Sequence, residues 1–218
     1  YSTCQTLQSC YICRAPGNVP TATTTMPFVS TKNKAAAAGG TGGYLNPNKV
    51  PAGTSVRFAL LEEEGFEFFE CWGINAVGKK HPFRFASDPS PEEIEEEMGE
   101  DYSRQMDDKG IAFQPAKFAI AVPIYNYGTG AVEVLEMTQK TLINELDAIS
   151  QMDDYEDLLE FDFVLGREGA LKETTYSLRA VNRKKGMQAD IDEAWSEARA
   201  GGFDITRMLT GDSPFKKG

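Results

Sequence analysis

The sequence predicts a mainly β fold with inserted helices, an α+β arrangement in which a strand-rich core carries a flexible N-terminal arm and a C-terminal helix. Three observations support this class. Apolar and polar residues alternate in several short runs separated by glycine-containing turns, as in half-buried strands. A capping box and two apolar stripes at helical spacing mark helices between and after these runs. The first 50 residues are instead rich in Thr, Pro, Ala and Gly.

Composition divides the chain into three parts. Residues 1–50 can bury little apolar surface and are expected to form a flexible arm and linker. Residues 51–186 hold the alternating runs and form the predicted core, whereas residues 187–218 hold a helix and a tail. One core with extensions is the simplest organisation for a chain of 218 residues.

Six runs are predicted to pair as three hairpins. In each hairpin, a turn containing glycine joins two runs of strand-like pattern. The predicted strands are residues 54–61 with 66–72, residues 117–125 with 131–137, and residues 161–165 with 173–179. Phe118, Phe161 and Phe163 are assigned to the core, because large aromatic side chains on one face of a strand are usually buried.

Three helices are predicted around these hairpins. Ser90 caps the first, with Pro91 at its first position and Glu93 closing a capping box. Thr138 is placed to cap the second. The apolar stripes of the second and third helices are Leu142, Ile143, Leu146 and Ile149, and Ile191, Ala194, Trp195 and Ala198. Five or six strands with a helix between them match the partly open five-stranded Greek-key barrel called the OB-fold, which often binds single-stranded nucleic acid.

The net charge of −11 is unevenly distributed along the chain. Residues 87–110 carry −8 and residues 141–162 another −8, so the remainder carries +5. Phosphate affinity depends on the field within a groove, which a remote acidic face weakens only within about 8 Å in physiological salt. A basic groove is therefore compatible with the acidic total. No apolar run approaches the roughly 18 residues of a membrane helix, so no membrane partner is expected.

Residue types that serve catalysis or metal binding do not form recognisable motifs. The only histidine, His81, lies near no nucleophile motif, and the glycine pair at residues 128–130 is too short for a dinucleotide fingerprint. Cys10 and Cys13 have C-x-x-C spacing without a second close ligand pair, and Cys71 is distant, so free thiols or one disulfide are favoured over zinc. We predict a protein that is not an enzyme, with no catalytic residues, metal or other cofactor.

Binding of single-stranded nucleic acid requires cations along the backbone path and flat side chains on which bases can stack. Residues 72–85 and 179–185 mix these types, and two tyrosines flank the turn after the third predicted strand. The predicted nucleic-acid-binding residues are Arg57, Trp72, Lys79, Lys80, Phe83, Arg84, Phe85, Tyr125, Tyr127, Arg179, Arg183, Lys184 and Lys185. Core packing is the competing role for each aromatic residue, since half of the aromatic side chains on a barrel point inward.

Ordered pieces of the chain also suggest a family. They include Thr-Ser-Val-Arg-Phe at 54–58, Val-Pro-Ile-Tyr-Asn-Tyr at 122–127 and Arg-Lys-Lys at 183–185, with further pieces at 83–85, 91–94, 134–140 and 155–163. Across roughly residues 50–190, this series resembles the single-stranded-DNA-binding proteins of tailed bacteriophages. The resemblance implies an OB-fold protein that binds and protects single-stranded DNA during phage DNA replication, recombination and repair. It further implies self-association, replication proteins as partners, and the cytoplasm of the infected bacterial host as location.

Two alternatives stay open from the sequence. The unusual arm is also consistent with a structural or assembly protein of a virion or filament, in which residues 1–50 contact a neighbouring subunit. An RNA-binding barrel would use the same residues as a DNA-binding one. Sedimentation in nucleic-acid-free buffer tests the first alternative, and competition between DNA and RNA tests the second.

Overall fold

The computed structural model describes residues 43–107 and 109–215. Most of the predicted flexible arm, with Cys4, Cys10 and Cys13, lies outside the described residues. The described part of the chain is mainly β, with three α-helices and one mixed sheet to which all of its strands belong. The mainly β class with inserted helices is therefore confirmed.

Strands and helices are interspersed along the chain. The strands are β1 (Gly43–Leu45), β2 (Thr54–Leu60), β3 (Phe66–Asn75), β4 (Lys80–Phe85), β5 (Tyr102–Arg104), β6 (Lys117–Asn126), β7 (Ala131–Met137), β8 (Phe161–Glu168) and β9 (Thr175–Asn182). The α-helices are α1 (Pro91–Met98), α2 (Lys140–Ser150) and α3 (Gln188–Ala200). The C-terminal 3₁₀-helix, Ile205–Thr210, follows α3.

The long strand β6 organises the sheet. One edge of β6 pairs with β7, and its other edge pairs with β3 and then with β2, so that β2 and β3 lie end to end. β8 joins β2 and β9 joins β8, while β4 and β5 extend from β3. β1 pairs with β7 in parallel. Among the described strands β4 and β9 each pair on one edge only, so the sheet is not closed and an OB-fold barrel is not confirmed.

The first predicted hairpin, between β2 and β3, is wrong. Both strands form, but the chain continues along β6 between them and does not turn back. The Leu61 N–H donates to the Pro123 carbonyl at 3.1 Å, which extends the pairing beyond β2. A Cβ on Gly65 would come within 2.3 Å of the Ile120 side chain, so this glycine allows close packing against β6. The other two hairpins are confirmed as β6–β7 and β8–β9.

The helices cover the two sides of the sheet. The predicted apolar stripe of α2 packs into the main core, on one side. α3 and the C-terminal 3₁₀-helix pack on the other side, against β2, β3, β6 and β7. α1 packs on β3 and β4, and the predicted capping box of Ser90 and Glu93 is present. The residue that precedes α2 is Gln139, not Thr138, and its side chain makes no capping bond.

Two sequence-based assignments of buried residues need correction. Leu45 and Val50 belong to the main core, so the folded part begins before the predicted boundary at residue 51. Phe118, assigned to the core, is 37% exposed; it lies at the start of β6, where its ring packs edge-on against Phe69 at 5.6 Å between centroids. Phe163 is buried as expected.

No helix within the described ranges combines the length and the apolar character needed to cross a membrane.

Candidate nucleic-acid interface

β2, β8 and β9 present cations beside small residues on the side of the sheet that carries α3. Directly opposed residues on neighbouring strands share one side of a sheet. Three such rows cross these strands: Ser55, Gly166 and Ser177; Arg57, Val164 and Arg179; and Ala59, Asp162 and Val181. We call this surface, with Tyr127 and Lys184 at its border, the β8 face. Ser55, Ser177 and Arg179 are exposed, so this end of the sheet is open to solvent.

Asp162 is a fully buried carboxylate at the base of the β8 face. Its Oδ2 accepts hydrogen bonds from Arg57 Nε at 2.8 Å and from the Lys184 backbone N–H at 3.0 Å. Its Oδ1 accepts from the Tyr127 hydroxyl at 2.8 Å and lies 2.9 Å from Arg183 Nε. A buried charge is tolerated only when it is paired and hydrogen-bonded. We call these five residues the Asp162 cluster, in which two guanidiniums pair with one carboxylate.

The two arginines of the Asp162 cluster differ in accessibility. The Arg183 side chain is 13% exposed, and its guanidinium also donates to two main-chain carbonyl oxygens. The Arg57 side chain is 36% exposed; its Nη2 lies 2.7 Å from Asp162 Oδ2 and donates to the Asn182 carbonyl at 2.8 Å. Arg57 Nη1 makes no hydrogen bond within the described part of the chain. Arg183 is therefore engaged internally, whereas Arg57 keeps donors that no described residue engages.

Tyr127 adds a half-buried ring to the β8 face. The Arg57 guanidinium lies 5.6 Å and the Lys184 ammonium 5.9 Å from the ring centroid, within cation–π range. Burial, followed by the hydrogen bond to Asp162, raises the pKa of Tyr127 above its ordinary value, so the hydroxyl stays a donor at neutral pH. Tyr125 is only 2% exposed and packs under α3, so its ring offers no surface for a base.

Residues 72–85, which mix cations and aromatic residues in the sequence, do not bring the two types together on one surface. Side chains alternate across a strand, and in β4 this places Lys80 and Arg84 on one side and Phe83 and Phe85 on the other. Both phenylalanines pack into the cluster that α1 covers. Lys79 lies in the exposed turn before β4. Regular alternation of cations and rings in a sequence therefore separates them when the segment is a strand.

Arg84 is occupied by two carboxylates. Its side chain is 11% exposed, and Nη2 lies 3.2 Å from Glu70 Oε2 and 3.1 Å from Glu136 Oε2. Burial, followed by the charge of Glu136, raises the pKa of Glu70 to about 7. Glu70 Oε1 also accepts a hydrogen bond from the Trp72 indole N–H at 2.9 Å. We call Glu70, Arg84 and Glu136 the Arg84 cluster. Its single guanidinium is already paired with two carboxylates, so the cluster has no net positive charge that would attract a phosphate.

The structure thus divides the predicted site. Arg57, Tyr127, Arg179, Arg183 and Lys184 meet at the β8 face, next to the exposed Lys185. Trp72, which is 38% exposed, and the exposed Lys79 and Lys80 lie near β4, at the other end of the sheet. α3 and the C-terminal 3₁₀-helix cover the strands between these two groups. The predicted residues consequently do not line one continuous groove.

Sequence reasoning missed Asp162. It is the last acid of the run at residues 141–162, which composition assigns to a solvated acidic surface. The strand pattern of β8 gave one indication that Asp162 is not part of that acidic surface. Successive side chains of a strand point to opposite sides, so if Phe163 and Leu165 point into the main core, Asp162 lies on the other side of the sheet. The strand register that brings Arg57 there depends on residues far away in the chain.

Comparison of the chain with protein-family models, with curated proteins and with solved structures found no match. The resemblance to phage single-stranded-DNA-binding proteins therefore stays a prediction. Within residues 43–107 and 109–215 no group of three or more potential metal-ligating side chains is found, and Cys71 is a buried free thiol. The geometry of the β8 face is the strongest structural guide to function.

Proposed function

We propose that this protein binds single-stranded DNA on the β8 face and catalyses no reaction. The observation that carries the proposal is the positive charge gathered on this face. Arg57 and Arg183 both pair with the carboxylate of Asp162. The Lys184 ammonium lies beside the Tyr127 ring, and Arg179 stands in the neighbouring row of the sheet. Nearby charges dominate the field that a phosphate experiences, since more distant ones are screened. The net charge of −11 is therefore compatible with this interface.

The shape of the β8 face favours an unpaired strand over a duplex. Ser55, Gly166 and Ser177 form a low row beside Arg57, and a Cβ on Gly166 would lie 2.8 Å from the Ser177 hydroxyl oxygen. A low surface lets a flat base approach the sheet, and only unstacked bases have free ring faces. Tyr127 supplies a ring beside Arg57, and one stacked base contributes about 1–3 kcal/mol.

The wider role belongs to the same proposal. α2 lies between the β6–β7 and β8–β9 hairpins, which supports an OB-like arrangement within the open sheet. Action in phage DNA replication, recombination and repair, in the cytoplasm of an infected bacterium and together with replication proteins, rests on the sequence resemblance alone.

Fluorescence anisotropy of labelled oligothymidine at about 50 mM and about 200 mM salt tests the proposal. We expect affinity to fall steeply between the two conditions, because phosphate contacts release counterions. Duplex DNA of the same length should bind more weakly, and equal or tighter duplex binding would contradict the proposal. Preference for oligouridine would assign the interface to RNA. A regular polymer formed without nucleic acid, seen by sedimentation, would favour the assembly protein.

A further inference from the structure

We propose that Asp162 is a positioning residue of this interface, which orients Arg57 toward a bound phosphate backbone although its own charge repels phosphate. The inference rests on the proposed function. It gives a role to the fully buried carboxylate of Asp162, because phosphate binding by the surrounding cations would not by itself require a negative charge there. The charge of Asp162 and its geometry have opposite effects on a phosphate, so the two can be separated by experiment.

Asp162 is the common partner of three chain segments. Arg57 comes from β2, Tyr127 from the turn after β6, and Arg183 and Lys184 from the segment after β9. Each segment reaches the carboxylate within 3.0 Å through a side-chain or backbone donor. Cations gathered this closely repel one another, and a central carboxylate offsets that repulsion. Without Asp162 these donors would lose the acceptor that holds them together.

The contacts also determine which nitrogen of Arg57 has no partner among the described residues. Nε and Nη2 are held by Asp162 and by the Asn182 carbonyl, so Nη1 is the nitrogen that remains for a ligand. A guanidinium is planar, and two fixed nitrogens determine where the third one points. A side chain already held in one orientation loses less conformational entropy when it binds. Arg57 is thus prepared for a phosphate before DNA arrives.

Asp162→Asn separates the two effects. The substitution keeps the size of the side chain but removes a negative charge, so charge counting predicts tighter binding of oligothymidine. Positioning predicts the opposite, because an amide pairs weakly with guanidinium groups. We expect binding about tenfold weaker than wild type at low salt, the effect of one lost charge-assisted contact. Glu168→Gln is the matched control, because it removes an exposed carboxylate from the same strand and should not weaken binding.

A double-mutant cycle tests whether Asp162 acts through Arg57. In an Arg57→Ala background, Asp162→Asn should cause no further loss of affinity beyond about twofold. Arg57→Lys keeps the positive charge but cannot engage Asp162 and Asn182 with one planar group, and it should bind several-fold more weakly. Circular dichroism and urea unfolding establish that each variant is folded.

Each outcome bears on one claim. Absence of oligothymidine binding by the wild-type protein at low salt would end both the proposed function and this inference. Binding by wild type, with equal or tighter binding by folded Asp162→Asn, would overturn the positioning role alone. If Asp162→Asn fails to fold, Arg57→Lys becomes the test, since that side chain is partly exposed, and wild-type affinity of this variant would overturn the role.

Discussion

Two buried charge clusters lie on the same side of the sheet and have opposite compositions. The Asp162 cluster combines one carboxylate with two guanidiniums, whereas the Arg84 cluster combines one guanidinium with two carboxylates. Removing charges from water is costly, so a buried group needs compensation from its neighbours. Neither cluster is balanced by its own side chains: the first has an excess of positive charge and the second an excess of negative charge.

The two excesses are resolved differently. In the Asp162 cluster, Arg57 Nη1 has no hydrogen-bond partner among the residues that the structure describes. The Arg84 cluster instead takes up a proton as the pH falls through about 7, since burial and the charge of Glu136 raise the pKa of Glu70 to about 7. Arg57 and Arg84 look alike in the sequence, as arginines within strands that also carry aromatic residues. On the proposed function, we therefore expect the number of neighbouring carboxylates to determine which of the two arginines can bind phosphate.

The largest effect is expected from Arg84→Met. It removes the only guanidinium of the Arg84 cluster and leaves Glu70 beside Glu136, so the free energy of unfolding at pH 8 should fall by about 3 kcal/mol. At pH 5.5 the loss should be smaller, because Glu70 is then protonated. Urea unfolding at both pH values measures this difference. Arg179→Met is the control, since Arg179 is exposed on β9. Equal losses at both pH values would show that proton uptake does not balance the cluster.

The pH dependence of stability should depend on Glu70. Its pKa rises from 4.5 when unfolded to about 7 when folded, so the native state keeps a proton that the unfolded chain releases. The retained proton stabilises the native state. This stabilisation is fully present below about pH 4.5 and is lost as the pH rises through about 7, and it adds on the order of 3 kcal/mol to the free energy of unfolding. Glu70→Gln should flatten stability across this window, whereas Glu67→Gln, at an exposed position of β3, should not. If the free energy of unfolding of Glu70→Gln varied with pH as it does in the wild-type protein, the pH dependence would come from other titratable groups.

Salt dependence of DNA binding compares the two ends of the sheet. Replacing Lys184 and Lys185 by alanine should lower the slope of log affinity against log salt by about 2, since each phosphate contact contributes about 1. Adding Arg183→Ala should change this slope little further, because that guanidinium is engaged internally. The pair Lys79→Ala and Lys80→Ala should leave the slope unchanged. A larger effect from the second pair would move the interface to the β4 end.

The smallest effect is expected at Trp72. For a short oligothymidine, Trp72→Leu should change affinity by less than about twofold, whereas Tyr127→Leu should remove a stacking contact worth about 1–3 kcal/mol. The reason is that α3 and the C-terminal 3₁₀-helix cover the strands between these two rings. Anisotropy titrations of both variants provide the comparison. Equal losses would mean that one bound strand reaches both ends of the sheet.

Local patterns predicted most of the elements and some residues of the candidate site. The capping box of α1, the stripe of α2 and the β6–β7 and β8–β9 hairpins depend on residues close together in the chain. Residue type was enough to select Arg57, Tyr127 and Lys184. The prediction of a β2–β3 hairpin was wrong because Gly65, which allows close packing against β6, looks in the sequence like the glycine of a turn.

The class of fold, the helix positions and the residue types of the candidate site follow from the amino-acid order, because short-range spacing controls amphipathicity and capping. Which cations remain accessible does not follow from it. Arg57 and Asp162 are 105 positions apart, and only the pairing of β2 with β8 brings them together. Arg84 reaches Glu136 in the same way, across 52 positions. Contacts of this range arise from strand register, which is a property of the folded sheet.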